Sequence, residues 1–176
     1  MIILRCDDFD PRINVETLKP LHEEFIKRGI PMTVSVNSAM SSRIGFDKEV
    51  IDYVNNTDPK TWDIQLHCWS HDRYWAMTYI DLYAYIYANL MKTKQDFIHA
   101  NPTILYPPWN ESNDIMENVC RVLGLKIVNF RRTLREFVTW NFQNKEMEEG
   151  YVWHWWTKDD RDIIPQALDK LLVNQQ

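Results

Sequence analysis

Short apolar runs alternate along this chain with longer stretches in which apolar positions recur every three to four residues. The first run, Ile2-Ile3-Leu4-Arg5-Cys6, stops at two acids, Asp7 and Asp8, and predicts a strand. Asn14 is placed to cap a helix reaching about Arg28, with Leu18, Leu21 and Phe25 on one face and Gly29 as its stop. A second strand is predicted over 30–36, and a helix after Asp47 with Val50, Ile51 and Val54 inward. Residues 63–66 form a third predicted strand, with His67 just beyond it. The Tyr-rich stretch 80–100 has helical spacing, with Tyr83, Tyr87 and Leu90 on one side. A strand over 103–106 ends at Pro107-Pro108. Ser112 then caps a helix carrying Ile115, Met116, Val119 and Leu123, stopped by Gly124. Strands over 125–128 and 151–153 and a closing helix over 163–173 complete the pattern.

Strands alternating with helices over the full length predict an α/β fold with a largely parallel sheet in a single domain, 1–176. In such folds the carboxyl ends of the strands gather on one face. Asp7, Asp8, His67, the 107–110 loop and His154 each follow a predicted strand, so residues far apart in sequence are expected to converge there.

Composition narrows the classes. A chain of 176 residues with 45% hydrophobic and 26% charged residues suits one soluble core. A net charge of −5 and the lack of a Lys/Arg-rich run argue against nucleic-acid partners. No apolar run approaches the roughly 20 residues of a membrane span, and no signal peptide is evident, so a cytoplasmic setting is the default expectation, with release by lysis or non-classical export as alternatives. Only 4 glycines are present, which leaves no Gly-rich phosphate loop. The 3 cysteines are too few and too scattered for a disulfide framework, and Cys68 is expected to be a buried free thiol. Of 8 tryptophans, Trp69, Trp75, Trp109, Trp153, Trp155 and Trp156 fall near the polar groups at strand ends, where indole faces can serve as platforms for sugar rings or simply pack.

The chemistry centres on Asp7-Asp8 and on His67-Cys68-Trp69-Ser70-His71. Two imidazoles four residues apart and one carboxylate supply two nitrogens and an oxygen, a donor set that leaves sites on a divalent ion open for water and substrate. The adjacent carboxylate is then free to move protons, which points to hydrolysis. His22 and His99 lie on predicted helices and are expected to be solvated.

The ordered motifs resemble those of the polysaccharide deacetylases with a NodB-type fold, family 4 of the carbohydrate esterases. Cys6-Asp7-Asp8 matches the first motif, His67 to His71 the second, Tyr106-Pro107-Pro108-Trp109-Asn110 the third in part, and Tyr151-Val152-Trp153-His154 the last. The resemblance implies an irregular parallel (β/α) barrel with Asp7 as catalytic base. It implies a divalent ion on Asp8, His67 and His71, most simply Zn²⁺, with Co²⁺, Ni²⁺ or Fe²⁺ suited to the same donors. It also implies His154 as the acid that protonates a leaving amine, and an oxyanion contact from the backbone N–H near Trp109. Trp69, Pro108, Trp109 and Asn110 would face a carbohydrate substrate.

Two departures stand out. Tyr106 occupies the place where the family carries an arginine that orients the base, and Asn110 replaces a common glycine. Arg131 or Arg132 could reach back with the missing guanidinium, and Asp159 or Asp160 is near enough in sequence to tune His154. Two other expectations stand beside sugar deacetylation. One is hydrolysis of another C–N bond in a small amide or imide, and the other is non-catalytic sugar binding on the same scaffold.

Overall fold

The computed structural model describes residues 2–72, 74–130, 132–139 and 150–174. The elements run β1 (Ile3–Phe9), α1 (Val15–Ile26), β2 (Met32–Asn37), β3 (Ala39–Met40), β4 (Arg43–Ile44), α2 (Lys48–Asn56) and β5 (Trp62–Cys68). They continue with α3 (Tyr79–Asp96), β6 (Ile104–Leu105), α4 (Asp114–Leu123), β7 (Lys126–Ile127), α5 (Leu134–Thr139), β8 (Gly150–His154) and α6 (Lys158–Asn174). One sheet of 6 strands in the order β7-β6-β5-β2-β1-β8 has every neighbouring pair parallel, as the alternating pattern requires. The sheet curls into the irregular barrel expected from the motifs. Among the described residues its ends, β7 and β8, do not pair, and Tyr106, Phe130 and Val152 pack together as a small core of their own.

Two larger cores cover the outside. Leu18, Phe25, Val50 and Leu168 from α1, α2 and α6 pack with Val34 and Trp153 of the sheet. Leu82, Ile86, Met116 and Val119 from α3 and α4 cover Leu66 and Leu105. Strands buried on both faces explain the continuous apolar runs in the sequence. Among the described residues no helix is long and apolar enough to cross a membrane.

The structure departs from the sequence-based expectations at several points. Strand β5 runs on through Cys68, so His67 sits inside the strand rather than beyond it. Asn113, not Ser112, caps α4, its side-chain oxygen accepting from Met116 N at 2.9 Å. Helix α6 starts at Lys158, with Asp159 and Asp160 in its first turn where the positive end of the helix dipole favours acids. The β3–β4 hairpin is too short to produce a periodic signal. His22, expected in solvent, is fully buried: it shares the inward face of α1 with Leu18, Leu21 and Phe25. Its ring stacks on Trp62 at 3.7 Å, its Nδ1 meets Tyr53 Oη at 3.1 Å and its Nε2 meets Thr61 Oγ1 at 3.0 Å. Burial pushes its pKa down to about 4. His99 is exposed, in a turn beyond α3 rather than on a helix.

Candidate active site

A regular strand would send adjacent side chains to opposite faces, yet Asp7 and Asp8 both line one cavity. A bulge resolves the conflict. Cys6 pairs with Val34 and Phe9 with Val36, so two residues of β1 oppose Ser35 alone. Asp8 takes the left-handed conformation, φ +53°, which an Asp tolerates better than most residues. Trp155 holds the turn by donating its Nε1–H to the Asp8 carbonyl at 2.5 Å.

Strand β5 repeats the device. Its register against β2 shifts after Leu66, Cys68 adopts φ +87°, and Asn37 Nδ2 donates to the Cys68 carbonyl at 3.1 Å. Cys68 itself is a buried free thiol whose pKa burial raises. The turn returns His71 beside His67, the rings 5.4 Å apart. His67 Nδ1 lies 2.7 Å from the Tyr106 carbonyl, an acceptor only, so Nδ1 carries a proton and Nε2 is the nitrogen left to ligate.

That nitrogen faces Asp8. His67 Nε2 is 3.5 Å and His71 Nε2 3.7 Å from Asp8 Oδ1, and the donor atoms of the three residues lie within 4.8 Å of one another. Asp8 Oδ1 and His67 Nε2 are both buried and have no hydrogen-bond partner among the described residues. Orphaned buried acceptors are costly unless something cationic satisfies them. Asp8, His67 and His71 therefore fit a divalent ion. Burial would raise the Asp8 pKa, but His67 foremost, with His71 and His154, more than offsets it and holds it down to about 2. For His71 burial outweighs Asp8, and its pKa is lowered, which favours the neutral, ligating form.

Asp7 is held differently. Arg5 Nε lies 2.5 Å from its Oδ1, Arg5 Nη2 donates to its Oδ2 at 2.6 Å, and Ser35 Oγ donates to Oδ1 at 2.7 Å. Burial would raise the Asp7 pKa, but Arg5, His67 and Ser35 together bring it below its ordinary value. Removing one partner of such a buried pair typically costs about 3–5 kcal/mol. The guanidinium beside Asp7 thus belongs to Arg5. Arg132 is on the cavity wall instead, and Arg131 lies outside the described residues.

His154 ends β8 directly opposite Asp7 in the ladder. Its backbone N–H donates to Asp160 Oδ2 at 2.9 Å, and its Nδ1 is 3.5 Å from the same oxygen. Burial would lower its pKa, but Asp160, Asp7 and Asp8 raise it on balance. Asp159 is turned away, paired with Arg135 at 2.7 Å.

An open cavity of about 610 Å³ joins these groups, lined among others by Asp7, Asp8, His71, Trp109, His154 and Trp156. Trp109, at φ +61°, is exposed and meets the His71 ring edge-on at 4.6 Å. Trp156 is half exposed beside His154. Asn110 lines the wall, but its side-chain oxygen is committed to Arg5 at 3.0 Å and to Phe130 N at 3.2 Å. Pro108 is buried, its carbonyl accepting from Tyr74 Oη at 3.2 Å. Trp69 lies on a separate groove with Tyr85 and Ala88, not on this cavity. Trp153 and Trp155 are core residues. Sequence reasoning missed Arg5 and Ser35, and the hydrogen bond by which Trp155 holds the Asp8 turn. A charged residue two positions before Asp7, in an otherwise apolar strand, was the available signal for Arg5.

No family model matches the sequence, and no curated protein matches it. Solved structures match the fold. A family 4 carbohydrate esterase from Streptomyces lividans, in complex with acetate, is similar with a TM-score of 0.70 at 13% identity, over 98% of this chain and 88% of that one. The chain has the fold of the family 4 carbohydrate esterases. A peptidoglycan deacetylase from Bacillus subtilis is similar with a TM-score of 0.71 at 15% identity, over 99% of this chain and 84% of that one. A pseudoenzyme of the same family from Bacillus anthracis gives a TM-score of 0.77 at 10% identity, over 99% of this chain and 61% of that one. The esterase fold is thus shared with a pseudoenzyme, so activity has to be argued from the side chains at the strand ends.

Proposed function

We propose that this protein is a metal-dependent hydrolase that removes N-linked acetyl groups from an amino-sugar oligomer or polymer. One observation carries the reading: Asp8 Oδ1 and His67 Nε2, buried and without a hydrogen-bond partner among the described residues, face each other beside an ion-paired Asp7, in the cavity that also holds His154. A divalent ion on Asp8, His67 and His71, most simply Zn²⁺, would acidify a water and polarise an acetamide carbonyl.

The chain's own groups do the rest. Asp7, kept ionised by Arg5, accepts the proton of the attacking water. His154, whose pKa Asp160 and the two aspartates raise on balance against burial, donates to the departing nitrogen. That donation is needed because an amine leaves poorly unless protonated. Trp109 beside His71 and Trp156 beside His154 present exposed indoles to the cavity, faces suited to the apolar C–H side of a sugar ring.

The test is acetate release from N-acetylglucosamine oligomers by Co²⁺- or Zn²⁺-loaded protein, with Asp7→Asn as control and small amides and imides assayed in parallel. Loss of the base should cost about 10²–10⁴-fold in rate. Wild type no faster than Asp7→Asn on every acetylated sugar overturns sugar deacetylation. Turnover confined to the small amides moves the activity to another C–N bond.

A further inference from the structure

We infer that Arg5 is the positioning residue for the base Asp7, supplied by the base's own strand, and that the Tyr106 ring holds its guanidinium in place. The inference rests on the hydrolase reading above and assigns the part of that site which the motif residues leave unfilled.

Arg5 and Asp7 are two residues apart on β1, so they share a face of the strand. The guanidinium grips Asp7 with two nitrogens, Nε at 2.5 Å from Oδ1 and Nη2 at 2.6 Å from Oδ2. With Ser35 on Oδ1, both oxygens are engaged, and the plane of the carboxylate is set. Arg5 is in turn caged. Its Nη2 also donates to Asn110 Oδ1 at 3.0 Å, and its central carbon lies 4.3 Å over the Tyr106 ring and 5.2 Å from that of Phe130. A fully buried arginine cannot touch a substrate, so its part in the reaction must be played through Asp7.

Stability alone is a poor account of this arrangement. A buried ion pair gains little over well-packed apolar residues, which the rest of β1 already supplies. What a two-pronged guanidinium provides and an aliphatic pair cannot is a fixed carboxylate orientation, and misplacing a reacting group by about 1 Å can cost about 10²-fold. The contact at 4.3 Å has a further implication. Position 106 borders the guanidinium site, so an arginine entering from β6 can occupy it when position 5 is vacated.

The experiment compares wild type, Arg5→Thr, Arg5→Lys and the relocated pair Arg5→Thr/Tyr106→Arg. Each is checked for folding by near-UV circular dichroism and titrated with Co²⁺ by visible absorption. The expected result is a fall in kcat of about 10²-fold in Arg5→Thr, with KM and Co²⁺ affinity unchanged. Arg5→Lys should be intermediate, because it keeps the charge and loses the two-pronged grip, and the relocated pair should regain at least about tenfold in kcat. If Arg5→Thr does not fold, Arg5→Lys and the relocated pair carry the comparison. A folded Arg5→Thr with wild-type kcat, a loss that falls on KM or Co²⁺ affinity, or a folded relocated pair without recovery overturns the inference. An inactive wild type overturns the hydrolase reading itself, and this assignment with it.

Discussion

Acidification from pH 7 to pH 4.5 should remove about 2 kcal/mol of folding stability through His22 alone. The side chain is fully buried against Trp62, and that burial holds its pKa at about 4, against about 6.5 in an unfolded chain. Between those values the unfolded chain takes up a proton that the native state refuses. The unfolded state therefore binds more protons, and stability rises with pH through the window. The contribution is fully present above about pH 6.5 and fully lost below about pH 4. At about 1.4 kcal/mol per pH unit the whole gap is worth about 3 kcal/mol, most of it spent by pH 4.5. The assay is urea unfolding at several pH values for wild type and His22→Phe. Subtraction removes Asp7, Asp8, His71 and His154, which titrate in both proteins. The phenylalanine also loses the contacts with Tyr53 and Thr61, a pH-independent offset. The difference between the two proteins should narrow, and can change sign, as the pH falls. Parallel stability curves between pH 4.5 and 7 would refute the argument.

Two further outcomes follow from neighbouring geometry. Asp160→Asn should shift the alkaline limb of the kcat–pH profile to lower pH, because burial lowers the His154 pKa and Asp160 is the foremost of the three carboxylates that together raise it; an unmoved limb counts against His154 as the acid. Gly150→Ala would place a methyl group 2.2 Å from Phe130 Cε2, so it should lower stability by the roughly 1–3 kcal/mol of an overpacked core. Because Phe130 flanks Arg5, kcat should fall with it, and an unchanged Tm would sink this reading.

Parallel strands buried on both faces leave long apolar runs, which is why β1, β2 and β5 are visible in the sequence within a few residues of their true ends. The candidate metal-holding trio is visible for a related reason: Asp8, His67 and His71 are held by local turns, so their spacing carries the information. Arg5 escapes the same reading because, beyond its neighbour Asp7, the groups that cage it, Asn110 and Tyr106, come from the segment after β6, far along the chain. Trp69 shows the converse failure. Sitting between the two histidines in sequence says nothing of direction once Cys68 turns the backbone left-handed, and its side chain lands on another groove. His22 is misjudged because a lone polar residue on a helix looks solvated until its neighbours at helical spacing are all inward.

The order of strands in the sheet differs from their order of synthesis. Asp8, His67 and His71, with the Tyr106 carbonyl that orients His67, come from β1, β5 and the segment after β6, all made before the second half of the barrel. His154 arrives on β8, which must then dock along β1 at the edge of the sheet. A chain emerging from the ribosome therefore holds the candidate ion-binding residues on their strands before His154 exists, and β8 docks last, as an edge strand along β1.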